Sequence, residues 1–256
     1  MNAAIITARS GSESIPQKNI LDVCGKELLK YPIEAAKESA LVDEVWVSTD
    51  GDDIASVAEE AGAQVLRRPD HLQGDVSHGD VIQDAVRTAN RKCNSNLETA
   101  VILLGNSVMI DSELITMSID AVSSSSADSA MTVWKAEDDH PQRAMTTNKK
   151  GFLQYYDGEY DAENTNRQNY EDIYYYDNGP WTLQPHCVED QNGPGPWWWM
   201  GEKCIPIERE WVTGRDIHDY FDVAFQEFYE QNRQDLRELE ERTVLESQLS
   251  VEKESK

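Results

Sequence analysis

The opening of the chain constrains it most: the apolar run Ala4-Ile5-Ile6-Thr7-Ala8 breaks at Arg9-Ser10-Gly11-Ser12 and continues to Pro16-Gln17-Lys18-Asn19. A short apolar run that ends in Gly and Ser reads as a buried strand followed by a tight loop. Basic residues, Arg9 and Lys18, stand on either side of the break. Such a loop suits a triphosphate. Glycine lets the backbone approach phosphate, serine hydroxyls and backbone amides donate to its oxygens, and the two cations offset its charge. A plain structural turn uses the same residues, and from these residues alone both readings stand.

Beyond this loop the chain alternates between strand and helix signals, which argues for a mostly parallel α/β sheet. Strands are expected at Glu44–Ser48, Ala63–Leu66 and Ala100–Leu104. Helices are expected over Leu28–Ser39, from Asp52 to about Gly62, over Val76–Arg91, and from an Asp111 cap to Val122. Past Ala130 the pattern changes. Strand-like pieces at 131–135, 152–156, 173–177 and 181–184 are separated by long polar loops, suggesting an insertion of antiparallel strands over about 135–205. Asp219 to about Leu245 reads as a helix with a charged tail. Residues 1–225 then form one domain, and 226–256 a C-terminal helix and tail.

Composition narrows the partners. With 48 acidic against 23 basic residues the formal net charge is -25. That field repels nucleic acid and anionic membranes, so neither is expected as a partner, and an anionic substrate needs a local cationic pocket. No apolar run approaches the length of a membrane span, and the segment after Met1 lacks the regions of a signal peptide. Cys24, Cys93, Cys187 and Cys204 form no CxxC pair and read as reduced thiols. A cytoplasmic protein is the expectation.

Taken in order, several stretches resemble the cytidylyltransferases that activate eight- and nine-carbon ulosonic acids, the CMP-sialic acid and CMP-KDO synthetases. They are Ala8-Arg9-x-Gly11-Ser12 with Pro16-x-Lys18-Asn19, Gly25-Lys26, Val47-Ser48-Thr49-Asp50, and Arg67-Arg68-Pro69 with Leu72-x-x-Asp75. His140-Pro141-x-Arg143, Arg167-Gln168, Asn178-Gly179 and Asp216-Ile217-His218 with Asp222 complete the series, which spans roughly 3–225. The resemblance implies a Rossmann-like three-layer nucleotidyltransferase fold, a homodimer, and transfer of CMP from CTP to the anomeric hydroxyl of a sialic-acid-like or related ulosonic acid, with release of pyrophosphate. It places Arg9, Gly11, Ser12, Lys18, Asn19, Arg68, Ser77 and Asn106 at the nucleotide, with Arg9, Lys18 and Asp216 catalytic. Arg143, Arg167 and Gln168 fall at the acceptor sugar.

The metal is implied as Mg²⁺ on Asp216 and His218, where most relatives carry two aspartates. Side chains two apart on an extended segment share a side, so both can reach one ion, and an imidazole would favour Mn²⁺ relative to Mg²⁺. Alternatively His218 only hydrogen-bonds. Two departures stand out: Glu13 occupies a usual lysine position, and Leu103–Ile110 replaces a polar run. They motivate a second reading, a nucleotide-binding homologue without turnover. A nucleotide-sugar glycosyltransferase is a third, disfavoured because the strand ending at Leu104 leads to Gly105-Asn106 and no Asp-x-Asp. Trp197-Trp198-Trp199 is either a core anchor, a dimer contact or a pocket wall.

The charge generates a test independent of the family. If the acidic surface is built for high salt, the thermal midpoint rises from low to molar KCl as self-repulsion is screened. A midpoint that stays flat or falls assigns the charge to ordinary solvation.

Overall fold

The structure, a computed structural model, describes residues 1–12, 14–94, 96–156 and 170–254. Glu13, Arg167 and Gln168 lie outside the described residues. Seven strands form one sheet: β1 (Asn2–Thr7), β4 (Glu44–Thr49), β5 (Gln64–Arg67), β6 (Thr99–Leu104), β7 (Ser129–Lys135), β10 (Tyr174–Leu183) and β11 (Cys204–Glu208). Their order across the sheet is β11-β7-β10-β6-β1-β4-β5. Strand β1 pairs parallel with both β4 and β6, β5 adds parallel to β4, and β11 adds parallel to β7. Only β10 runs against its neighbours, β6 and β7.

Alternation along β1 makes this a three-layer fold. Ala3 and Ile5 face one side and Ala4 and Ile6 the other, all fully buried. The Ile5 side is covered by α3 (His78–Lys92) and α5 (Cys187–Asp190), through Ile82, Ala85, Val86 and Val188. The Ile6 side is covered by α1 (Lys30–Glu38), α2 (Asp52–Glu60) and α4 (Ser112–Ser123), through Ile33, Ile54, Ile115 and Ile119. Asp111 caps α4 as its sequence position predicts, its carboxylate accepting from Leu114 N at 2.8 Å. A small hairpin, β2 (Asp22–Val23) with β3 (Lys26–Glu27), packs with the long C-terminal helix α6 (Tyr220–Glu254) through Val23, Val223 and Phe225. No helix of the described residues is long and apolar enough to cross a membrane.

The second half differs from the sequence expectation. The pieces at 173–177 and 181–184 are one strand, β10, and with β11 it completes the main sheet. Among the described residues of this half, the separate antiparallel pairing is that of β8 (Met145–Thr147) with β9 (Leu153–Tyr155). The break that the sequence suggested inside β10 is a bulge: the register against β7 slips between Tyr176 and Trp181. Gly179 takes φ 102° there, a conformation that favours glycine. The Trp run is a 3-10 turn (Trp198–Met200), not extended chain, so its rings diverge. Trp199 packs against Trp181 with centroids 5.6 Å apart, Trp197 meets Tyr176 edge-on at 4.5 Å, and Trp198 lies where a Cβ on Gly79 would collide with it.

The bulge is held by a buried charge. Asp177, whose side chain is 0 % exposed, accepts from Thr132 Oγ1, Gly179 N and Arg209 Nε. Arg209 also donates to Met109 O at 3.1 Å and Gly179 O at 3.0 Å. Removing one partner of a buried pair strands the other charge, so Arg209→Ala is expected to lose about 3–5 kcal/mol in urea denaturation. A loss below about 1 kcal/mol would mean that water reaches Asp177 in the variant.

Candidate active site

A cleft of about 520 Å³ opens at the carboxyl ends of the parallel strands, a volume within the roughly 300–1,000 Å³ of ligand sites. In a parallel α/β sheet this edge is where loops leave the strands and ligands bind. The loop after β1 supplies Arg9, Ser12, Lys18 and Asn19; Arg68 follows β5; His78 begins α3; Asn106 follows β6. Asp216 and His218, from the segment before α6, close the far side.

Three cations, Arg9, Lys18 and Arg68, thus line one cleft together with the carboxylates of Asp75 and Asp216. Arg68 is buried, donating from Nε to Ser48 Oγ at 3.2 Å and from Nη2 to Ser48 O at 3.0 Å. Arg9 reaches across the cleft mouth to Asp75 at 2.7 Å. That pair is solvent-exposed and worth little, so an anion in the cleft can displace it. Lys18 Nζ donates to Ile217 O at 2.7 Å. Burial lowers the Lys18 pKa, Asp216 opposes this, and Arg9 lowers it further. An incoming polyanion offsets both the burial and the crowding of these cations.

Asp216 is the most firmly held group. Asn106 Nδ2 donates to its Oδ2 at 2.6 Å, Asn178 Nδ2 to its Oδ1 at 2.8 Å, and His218 Nε2 lies 2.8 Å from Oδ1. Asp222, at the start of α6, accepts from His218 N, Asp219 N and Arg215 Nη2, and so fixes the backbone carrying Asp216. At the other end of the cleft His78 Nε2 sits 3.0 Å from Thr7 Oγ1, its ring edge-on to Trp181. His78 is exposed to the cleft and surrounded by its walls; their desolvation, with Arg68, pushes its pKa down to about 4. It is neutral at pH 7.

A second cavity of about 210 Å³ adjoins the cleft and shares only Asp216 and His218 with it. Its walls are Trp134, Tyr176 and Trp211, with Asn178 and Arg215 between them.

A family description, Cytidylyltransferase, matches residues 3–180 of this chain. The chain belongs to the cytidylyltransferase family. Similar curated proteins include an N-acylneuraminate cytidylyltransferase of Oncorhynchus mykiss, 48% identical over 86 residues, which are 33% of this chain and 20% of that protein. A pseudaminic acid cytidylyltransferase of Campylobacter jejuni is 44% identical over 87 residues, 33% of this chain and 38% of that one. A 3-deoxy-manno-octulosonate cytidylyltransferase of Anaeromyxobacter dehalogenans is 37% identical over 120 residues, 47% of this chain and 46% of that one. The matched part thus spans less than half of each of these relatives. Among solved structures, a CMP:2-keto-3-deoxy-manno-octonic acid synthetase complexed with CTP shares the fold, with a TM-score of 0.66 at 14% identity over 91% of this chain and 99% of that one.

Within this cytidylyltransferase-family fold, the cleft gathers Arg9, Ser12, Lys18, Asn19, Arg68, Asn106, Asp216 and His218, all expected at the site. Gly11 is exposed in the loop after β1, and Ser77, exposed, lies between two cleft-lining residues without lining the cleft itself. Arg143 sits in a 3-10 turn, paired with Asp138 at 3.0 Å, and lines neither cavity. His78, Arg215, the grip of Asn178 on Asp216 and the bridging role of Asp50 escaped the sequence reading. Asp50 already stood in the Ser48-Thr49-Asp50 motif, but its partners are 40 and 24 residues away.

Among the described residues no three His, Cys, Asp or Glu side chains gather as a metal cage. Oxygen donors for one hard cation are nevertheless available. Asn106 Oδ1 is buried without a partner, and Asp216 Oδ2 accepts one hydrogen bond where a carboxylate oxygen can accept two. The donor set fits Mg²⁺, which takes one or two carboxylates and completes its shell with water and phosphate oxygens. In this arrangement the His218 ring nitrogen faces Asp216.

Asp50 yields a pH test. Its carboxylate accepts from Ser10 N at 2.7 Å and Gly74 N at 3.0 Å, tying the loop after β1 to the loop after β5. Burial raises its pKa, but those amides and Arg68 outweigh burial, leaving it below the usual carboxylate value. A depressed carboxylate gives stability that is present above its unfolded pKa, near 3.9, and is lost as pH falls through the folded value. Asp50→Asn should therefore be less stable at pH 7 and show a shallower loss below about pH 4. Parallel pH curves for the two proteins would remove Asp50 from the account.

Proposed function

We propose that this chain transfers CMP from CTP to the anomeric hydroxyl of an ulosonic acid. One observation carries the reading: Arg9, Lys18 and Arg68 converge on a single cleft opposite Asp216, in a chain of net charge -25. Concentrating scarce cations at one site serves a polyanion. The family membership and the names of the relatives support cytidylyl transfer to a nine- or eight-carbon keto acid.

In this reading Arg9, Lys18 and the Ser12 hydroxyl hold the triphosphate, and Arg68 and His78 lie on the nucleoside side. The acceptor oxygen forms a bond to the α-phosphorus as the bond to the β-phosphate bridge breaks, and pyrophosphate leaves. Positioning and charge neutralisation do most of the work. We propose Asp216 and Asn106 as the residues that hold Mg²⁺, which when bound polarises phosphate oxygens and eases loss of the acceptor proton. Asn178 keeps the Asp216 carboxylate turned toward the cleft.

The test is pyrophosphate release from CTP and Mg²⁺ with N-acetylneuraminate, pseudaminate or 3-deoxy-manno-octulosonate. Release is expected with at least one acid. Lys18→Ala, which loses a charge-assisted donor, should lower kcat/KM for CTP about 10- to 100-fold. Turnover of nucleotide sugars with none of CTP would overturn the reading.

A further inference from the structure

The 210 Å³ cavity has a composition that the cleft does not. Three aromatic rings wall it: Trp134, stacked on Tyr175 at 4.5 Å; Tyr176, braced edge-on by Trp197; and Trp211, with the Arg215 guanidinium 5.9 Å from its ring. Its polar groups are mostly committed. The Asp177 oxygens go to Thr132, Gly179 and Arg209, and Asn178 Nδ2 goes to Asp216 and Gly214 O. Arg215 is the one Arg or Lys among the described residues that line it. A guanidinium has five N–H donors, and its pair with Asp222 uses one Nη2 contact of 2.8 Å. Asp222 is buried, while the Arg215 side chain lines the cavity and is 42 % exposed, so an acid there can reach its remaining donors.

Resting on the function proposed above, we propose that this cavity is the acceptor subsite, that Arg215 binds the acceptor's carboxylate, and that the aromatic walls select acids bearing N-acyl and terminal methyl groups over bare polyols. The location follows from adjacency: only Asp216 and His218 separate the cavity from the cleft, so a hydroxyl at that boundary faces a phosphate in the cleft. The carboxylate partner follows from the donors, since planar N–H pairs match a carboxylate bidentately. Arg143, which the family resemblance put at the sugar, lines neither cavity. Selectivity follows from the walls. A methyl laid on the half-exposed Tyr176 and Trp211 rings takes apolar surface out of water, whereas a hydroxyl in the same place gains nothing from the rings. An acid with two acetamido groups and a methyl-terminated tail is therefore preferred over one with a free glycerol tail, and that over an acid with no acyl group.

Trp134 and Trp211 provide a binding signal that needs no turnover. Tryptophan fluorescence titrations with pseudaminate, N-acetylneuraminate and 3-deoxy-manno-octulosonate are expected to give affinities in that order, with about 10-fold between first and last. Arg215→Lys keeps a cation for Asp222 but loses the fork; it should weaken the acid about 10- to 100-fold while leaving CTP binding unchanged. The acid's carboxamide, which cannot accept the fork as an anion, should bind parent and Arg215→Lys alike. Trp211→Leu, which keeps an apolar side chain, should compress the ranking among the three acids. Equal acid binding in parent and Arg215→Lys, or a weakening confined to Arg143→Ala, overturns the assignment of Arg215. Tightest binding of the polyol acid overturns the selectivity. If acid binding depends on Arg215 while no acid yields pyrophosphate from CTP, the subsite stands and the proposed transfer fails.

Discussion

The site depends on a carboxylate whose oxygens are all taken by the protein itself. Asp177 lies wholly buried in the β10 bulge and is neutralised by Arg209, whose other nitrogens reach the carbonyls of Met109 and Gly179. Four chain segments meet on that one ion pair: the stretch after β6, the bulge, β7 through Thr132, and the residue just after β11. The first carries Asn106 and the second Asn178, the two amides that grip Asp216. Buried pairs are modest stabilisers against an apolar substitute, but they tolerate few alternative geometries. The orientation of Asp216 is thus fixed from behind, by groups that are dry, before any ligand arrives.

Electrostatics divides the molecule the same way. The surface carries most of the negative charge, while the cleft keeps Arg9, Lys18 and Arg68 close enough that Arg9 lowers the pKa of both others. Crowding like charges is unfavourable in the empty protein and is relieved by an anion, so some of what a triphosphate gains is relief of that repulsion. The exposed Arg9–Asp75 contact is the loosest part of this arrangement, and Arg68, locked onto Ser48, the stiffest.

How much of this was legible depended on range along the chain. The first strand, its Gly/Ser loop and the cap at Asp111 were readable because the signals are local: an apolar run, a turn residue, a carboxylate three positions before the amide it accepts from. The ordered motifs put Arg9, Lys18, Arg68 and Asp216 at one site, and the structure brings all four to the lining of one cleft. What stayed hidden was pairing at a distance. Nothing near Arg209 says that its partner is 32 residues earlier, and nothing near Asn178 says that its amide turns to Asp216. The polar interruption at Asp177–Pro180 looked like the end of one strand and the start of another, because a bulge removes the alternation that marks a strand. Arg143 carried a family motif, yet it pairs with a neighbour five residues away.

The reversed direction of β10 has a further consequence. Parallel strands can offer a binding edge only their last residues, and each is tied to the loop and helix that come after it. An antiparallel strand brings its beginning to that same edge, so Tyr176 and Asn178 arrive from the opposite end of a different connection. The two cavities are thereby built on separate stretches of chain that meet at Asp216. Drift in the segment leading into β10 can reshape one cavity while the strands that floor the other keep their register. A fold assembled this way can exchange one of its ligands across evolutionary time without rebuilding the grip on the second.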